Sequence, residues 1–194
     1  MDAQEWDARY RAQDRLFSGN PNGVLITEVT DRPPGRALDV GCGEGGDALW
    51  LAGNGWQVTA VDIAPTALRR AAAADPSARV RWTEADLSRT RPEPAAYDLV
   101  NVQYFPLAVT PDHAALRGLL DAVAPGGLLL YVGHDLADLA KPPPTTYYQP
   151  ADVAKLLGDG WTVLTDETRP RTAPAPPGTH HRHDTVLFAR RTGR

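Results

Sequence analysis

"RALDVGCGEGGDALWLAGNGWQVTAVDIA", residues 36–64, contains the pattern that sets the architecture of the whole chain. The short apolar run "RALDV" ends in a glycine cluster, which reads as a buried strand entering a tight turn. "GDALWLAGNG" then reads as a helix closed by Gly53 to Gly55, and "WQVTAVDI" as a second strand. The glycines fall into two overlapping registers. Gly41, Gly43 and Gly46 fit G-x-G-x-x-G, whereas Gly41, Gly43 and Gly45 fit G-x-G-x-G. Either register serves a loop that turns sharply between strand and helix and lets a ligand approach its backbone. Asp62 ends the second strand about 20 residues on, where an acid accepts hydrogen bonds from ribose hydroxyls.

Downstream the alternation continues. "PTALRRAAAA" reads as a helix with Pro65 in its first turn, "ARVRWTEADL" as a third strand and "AYDLVNVQYF" as a fourth. "TPDHAALRGLLDAV" has the clearest helical period, with Thr110 as cap, Pro111 in the first turn, and Leu116, Leu119, Leu120 and Val123 on one face. "APGG" breaks it, and "LLLYVGH" supplies the fifth strand. The Pro-rich "KPPPTTYYQP" leads to a short helix around "ADVAKLLG". "WTVLTDETR" and "DTVLFARR" close the chain as two strands separated by "PRTAPAPPGTHHRH". Upstream, "EWDARYRAQ" and "NGVLITEVT", the latter after a possible Asn22 cap, read as helices.

Strands alternating with helices predict an α/β fold: a doubly wound, mostly parallel seven-stranded sheet with helices on both faces. The last two strands, with no helix between them, should form a C-terminal antiparallel hairpin. The ligand of such a sheet lies outside the carboxyl ends of its strands. A length of 194 residues suits a single domain over 1–194, with a helical cap in 1–35 and the core in 36–190.

With 42% hydrophobic and 23% charged residues the composition is that of a globular protein. A net charge of −4 argues against a nucleic-acid-binding face, and no apolar run suggests a membrane span or signal peptide. The lone Cys42 fits a reducing cytoplasm, and 18 Arg against 2 Lys fits a GC-rich, bacterial genome. Oligomeric state is not legible.

Two further acids bear on the ligand. Asp39 would sit unfavourably beside a pyrophosphate and favourably beside the ammonium of a methionine moiety. Asp86, in "TEADL", is placed to meet an adenine amine. The ordered set "DVGCGEG", "VDI", "ADL", "YDLVNVQYF" and "APGGLLL" resembles the Rossmann-like, class I S-adenosylmethionine-dependent methyltransferases over residues 36–190. "EWDARYRAQDRLFSGNPNGVL" is further similar to the small-molecule thiopurine and tellurite-resistance branch, whose Trp/Tyr-rich helix folds over the cofactor.

The resemblance implies S-adenosylmethionine as cofactor and a small-molecule methyl acceptor. It puts Gly41, Cys42, Gly43 and Gly45 at the methionine and ribose portion with Asp39. Asp62 then holds the ribose, Ile63 packs on the adenine, and Asp86 and Leu87 meet its edge. Asn101 and Gln103 line the site near the sulfonium. Cys42 reads as a small loop filler and Asp47 as a first-turn helix acid. An NAD(P)-dependent oxidoreductase and a non-catalytic nucleotide-sensing module remain as alternatives.

On the acceptor side, His134 at the end of the fifth strand is the candidate base or acceptor contact. Trp6, Tyr10, Phe17, Tyr104, Tyr147, Tyr148 and His181 are candidate lid or pocket residues. The "HHRH" cluster at residues 180–183 reads as a solvated loop, and no metal site is expected.

Overall fold

The computed structural model describes residues 2–138, 146–172 and 181–193. Its elements run α1 (Ala3–Arg11), α2 (Gly23–Val29), β1 (Arg36–Val40), α3 (Gly46–Gly53), β2 (Gln57–Asp62), α4 (Pro65–Ala73) and β3 (Val80–Glu84). There follow β4 (Tyr97–Gln103), α5 (Ala114–Ala122), β5 (Val123–His134), α6 (Pro150–Leu156), β6 (Trp161–Pro170) and β7 (His183–Arg191). The strands form one seven-stranded sheet in the order β3-β2-β1-β4-β5-β7-β6. β1 through β5 pair in parallel, and β7 runs antiparallel to both β5 and β6. This is the expected doubly wound sheet with its terminal hairpin.

The period of two along each strand sorts the core into two layers. Ala37, Leu99, Leu128 and Leu130 face Leu25 of α2 and Ala48 and Leu51 of α3. Leu38, Val40, Val100 and Val102 face the opposite way, onto Leu116 and Leu119 of α5 and Val153 of α6. Because β1 is covered on both faces, it needs the continuous apolar run that the sequence shows. Strand order reverses between β1 and β4, so the crevice of this fold opens where Val40 and Gln103 end.

Three local expectations are corrected. The α5 helix starts at Ala114, after a turn in which the His113 N–H donates to the Thr110 carbonyl at 3.0 Å. Thr110 therefore caps no helix; its hydroxyl donates to Asp112, and His113 adopts a left-handed φ of 52° that a helix cannot contain. "APGG" lies inside β5, because Val123 already pairs with Tyr97. The irregularity is absorbed where Gly126 takes φ 79°, and pairing resumes at Leu128 with Leu99. Asn22 occupies the N-cap of α2, but its side chain turns to Asp47 instead of capping. The first half of the "KPPPTTYYQP" loop, residues 141–145, and His180 lie outside the described residues.

Candidate active site

The glycine loop leaves β1 with three left-handed residues, Gly41 (φ 67°), Gly43 (φ 53°) and Gly45 (φ 87°). A Cβ on Gly41 would fall 2.5 Å from the Phe105 ring, and one on Gly45 would fall 2.7 Å from Trp82. Gly46 is different. Its φ is ordinary, and a Cβ there would meet the Asn20 carbonyl oxygen at 2.7 Å, so it makes room for the N-terminal segment. The register that carries the loop's conformation is therefore G-x-G-x-G.

Loop and second strand are tied together. The N–H groups of Gly41 and Cys42 donate to the Val61 carbonyl at 2.8 and 3.0 Å. Asp62 accepts from the Gly43 N–H through Oδ2 and from the Ala64 N–H through Oδ1, both at 2.8 Å. Burial raises the Asp62 pKa, while these N–H donors pull it back down. Each carboxylate oxygen keeps a second lone pair for a ligand hydroxyl. Burial also raises the Cys42 thiol, which fits a filler of the loop.

Beneath the loop lies a buried polar chain. Asn101 donates from Nδ2 to Asp39 Oδ1 at 2.8 Å and to Asp47 Oδ2 at 3.2 Å. Gln103 donates to Asn101 Oδ1 at 2.9 Å. Asp47 also accepts from the Asn22 backbone and side chain, so it anchors the N-terminal segment as well as opening α3. Asp39 is 2% exposed, yet among the described residues its Oδ2 has no hydrogen-bond partner, and neither has Gln103 Oε1. Burial first, and the Asp47 charge second, hold the Asp39 carboxyl well above the usual carboxylate range.

The N-terminal segment closes over this floor. Tyr10 is buried, and its hydroxyl would lie 2.9 Å from a Cβ on Gly43. Trp6 and Phe17 flank it at ring-centroid distances of 6.2 and 6.1 Å, with Phe17 remaining largely exposed. Glu44, unremarked in the sequence reading, is the strut: its carboxylate accepts from the Leu16 and Phe17 N–H groups and pairs with Arg70 at 2.9 Å. An acid between loop glycines was the available signal. Asp7 of α1 accepts the Thr66 N–H at 2.7 Å, so α1 caps α4.

At the carboxyl edge on one side of the glycine loop, Ile63 and Leu87 follow the ends of β2 and β3. Asp86 accepts from the Ser88 N–H and hydroxyl at 2.9 and 2.6 Å and lies 3.5 Å from Arg89. On the other side, His134 is layered between Tyr104 (4.3 Å) and His181 (3.7 Å). Burial foremost, then His181 and Arg171, lower its pKa to about 3. Tyr147 bridges to Ala108, while Tyr148 is 4% exposed, with its hydroxyl against His113. Tyr148 is thus a core side chain behind α5, because the chain turns inward there to bridge Leu107.

The described residues of the histidine cluster, His181, Arg182 and His183, make specific contacts. His181 stacks, and His183 lies 3.1 Å from Asp138, whose pKa it draws down to about 2. Asp135, Asp138 and His183 lie within 4.8 Å of one another. The Arg182 and His183 N–H groups donate to Asp138 Oδ2, which accounts for that carboxylate without a metal.

The family described as a methyltransferase domain matches residues 37–127. These residues are a methyltransferase domain. The domain is similar to an uncharacterized methyltransferase, Mb0092, of Mycobacterium bovis, 39% identical over 95 residues, which is 49% of this chain and 48% of that protein. The chain thus matches about half the length of this curated relative.

Among solved structures, one described in terms of disulfide-to-thioacetal conversion in echinomycin biosynthesis superposes with a TM-score of 0.78. It is 23% identical and covers 99% of this chain and 94% of its own. The 1,6-didemethyltoxoflavin-N1-methyltransferase of Burkholderia thailandensis has a TM-score of 0.70 at 18% identity, over 98% and 87% of the two chains. The methyltransferase domain shares the class I, Rossmann-like fold with these neighbours.

Proposed function

We propose that this protein transfers a methyl group from S-adenosylmethionine to a small-molecule acceptor in the bacterial cytoplasm, as a single domain whose residues 1–35 form the cap. The observation that carries the reading is the unpartnered, buried Asp39 Oδ2 beneath the glycine loop. A buried acceptor of this kind suits a cationic ammonium and repels a pyrophosphate. The left-handed Gly41, Gly43 and Gly45 suit a ligand lying against the backbone, and the position of Asp62 at the end of β2 suits a ribose acceptor. The residues present therefore fit the cofactor. The toxoflavin methyltransferase neighbour, solved with S-adenosylhomocysteine and a small acceptor, supports the same reading.

When bound, S-adenosylmethionine supplies an already activated methyl group, so the protein needs no electrophile of its own. Asp39 and Gln103 would receive the amino-acid portion, with Asn101 holding both in register. Ile63, Leu87 and Asp86 would take the adenine. Tyr10, braced by Glu44 and Asp7, covers the loop and excludes water. Alignment of donor and acceptor by such walls is worth roughly 7–11 kcal/mol. His134, kept neutral by burial, contributes shape and hydrogen bonding; its low basicity makes it a poor proton acceptor at neutral pH.

Calorimetry and thermal shift with S-adenosylhomocysteine, S-adenosylmethionine, NADH and NADPH test the ligand. Binding of either sulfur ligand and of neither nicotinamide is the expected result; the reverse refutes the proposal. Labelled donor with thiols, chalcogen oxyanions, amines and phenols then tests transfer. Cofactor binding without transfer to any acceptor would favour a sensing module.

A further inference from the structure

Beyond β4 the carboxyl edge of the sheet carries a second built group: Tyr104, His134, Arg171 and Asp184. Arg171 Nη1 donates to Asp184 Oδ1 at 2.8 Å and to the Tyr104 hydroxyl at 3.0 Å. The Tyr104 hydroxyl donates in turn to Asp184 Oδ1 at 2.8 Å. The Arg171 and Asp184 side chains are only 10% and 4% exposed. Despite that burial, Arg171 Nε and His134 Nδ1 have no hydrogen-bond partner among the described residues. Leaving a buried donor on a cation without an acceptor is costly, and an apolar pair would close this strand end without the cost. The open Nε–H therefore suits a ligand that presents an acceptor atom.

The backbone links this group to the methyl-donor site. Tyr104 sits at φ 54°, a conformation rare for an aromatic residue. The kink sends neighbouring rings in different directions. Phe105 lies over Gly41 of the loop, while Tyr104 stacks on His134 at 4.3 Å with an 18° interplanar angle. The Arg171 guanidinium carbon stands 5.0 Å over the same Tyr104 ring. Flat faces and one cationic N–H donor thus meet one residue away from the glycine loop's cover.

We propose that Tyr104, His134 and Arg171 form the recognition wall for the methyl acceptor. The acceptor is a flat conjugated ring bearing an oxygen, which receives the Arg171 Nε–H while the ring packs against the edge of the Tyr104–His134–His181 stack. Arg171 and Asp184 are specificity residues that no motif in the sequence marks. This inference rests on the methyltransferase reading and deepens it.

The test is calorimetry on the full chain saturated with S-adenosylhomocysteine, using paired probes: 4-hydroxyquinoline against quinoline, and benzoate against cyclohexanecarboxylate. 4-Hydroxyquinoline should bind at least about tenfold more tightly than quinoline, the worth of one charge-assisted hydrogen bond, and flat benzoate more tightly than cyclohexanecarboxylate. Arg171→Lys keeps a positive charge facing Asp184 but lacks the Nε–H. It should weaken 4-hydroxyquinoline about tenfold and leave S-adenosylhomocysteine within a few fold.

A second measurement needs no variant: the His134 ring resonances of the wild-type protein should shift with 4-hydroxyquinoline and not with quinoline. Equal affinities within both pairs, no binding of any probe, an unaffected Arg171→Lys variant, or unmoved His134 resonances each overturn the inference. Loss of cofactor binding in Arg171→Lys would also overturn it, making the residue structural. Failure of wild-type protein to bind S-adenosylhomocysteine would instead strike the methyltransferase reading.

Discussion

Asp39 and Asp62 differ in role although both are buried acids near the ends of β1 and β2. Asp62 has two backbone N–H partners, so its removal orphans donors as well as ligand contacts. Asp62→Ala should weaken S-adenosylhomocysteine about 10- to 100-fold and lower stability by about 1–3 kcal/mol; calorimetry and urea unfolding measure the two effects. Asp39 should behave in the opposite sense in the free protein. Its folded-state pKa is raised by burial, so its contribution to stability is full below the unfolded value and is lost as pH rises through the folded one. Asp39→Asn should therefore raise the melting temperature at pH 7, with the gain vanishing near pH 4. The same substitution should weaken the cofactor about tenfold or more, because it removes the charge facing the ammonium. A variant that melted higher and bound equally well would remove Asp39 from the site.

At the scale of elements, the N-terminal cap is held by a few polar joints as well as by packing. α4 begins at Pro65 with no cap of its own side chain, and Asp7 of α1 supplies the missing acceptor to the Thr66 N–H. Asp7→Ala should cost about 1 kcal/mol, the usual worth of a helix cap. Because it loosens α1 from α4, Tyr10 should cover Gly43 less well and cofactor release should quicken, as stopped-flow measurements would show. Asp7→Asn, which keeps an acceptor, should restore most of both. This joint was invisible in the sequence, since a cap supplied from 59 positions away leaves no local pattern. β1 and α3 were legible because their periodicity and glycines are local. The boundary of α5 was not: "TPD" is as good a helix start as a turn, and the choice is made by His113 meeting the distant Tyr148 hydroxyl. Asp39 and Asp62 could be read from their motif; Glu44, Arg171 and Asp184 could not, because their partners come from remote segments.

Across the whole molecule, acid sensitivity should come from the acceptor end of the sheet edge and alkaline sensitivity from the cofactor end. His134 is layered between Tyr104 and His181, with Arg171 nearby disfavouring its charge and Asp138 opposing them. Its pKa falls to about 3, whereas the unfolded chain takes up that proton near 6.5. The unfolded state thus binds more protons between those values, and stability must fall as pH drops from about 6.5 towards 3. Asp39 and Asp47 have the reverse sign, since their raised values erode stability as pH climbs from about 4. His134→Gln removes the first effect and leaves the second. Urea unfolding of wild-type and His134→Gln protein at intervals from pH 4 to 8 should show the wild-type curve falling more steeply on the acid side. The two curves should run parallel above pH 7. The kcat/KM profile should accordingly show no inflection from His134 between pH 5.5 and 8, because the imidazole is neutral throughout. Parallel stability curves down to pH 4 would mean that His134 exchanges its proton freely with solvent, and the stack between Tyr104 and His181 would then not persist in solution.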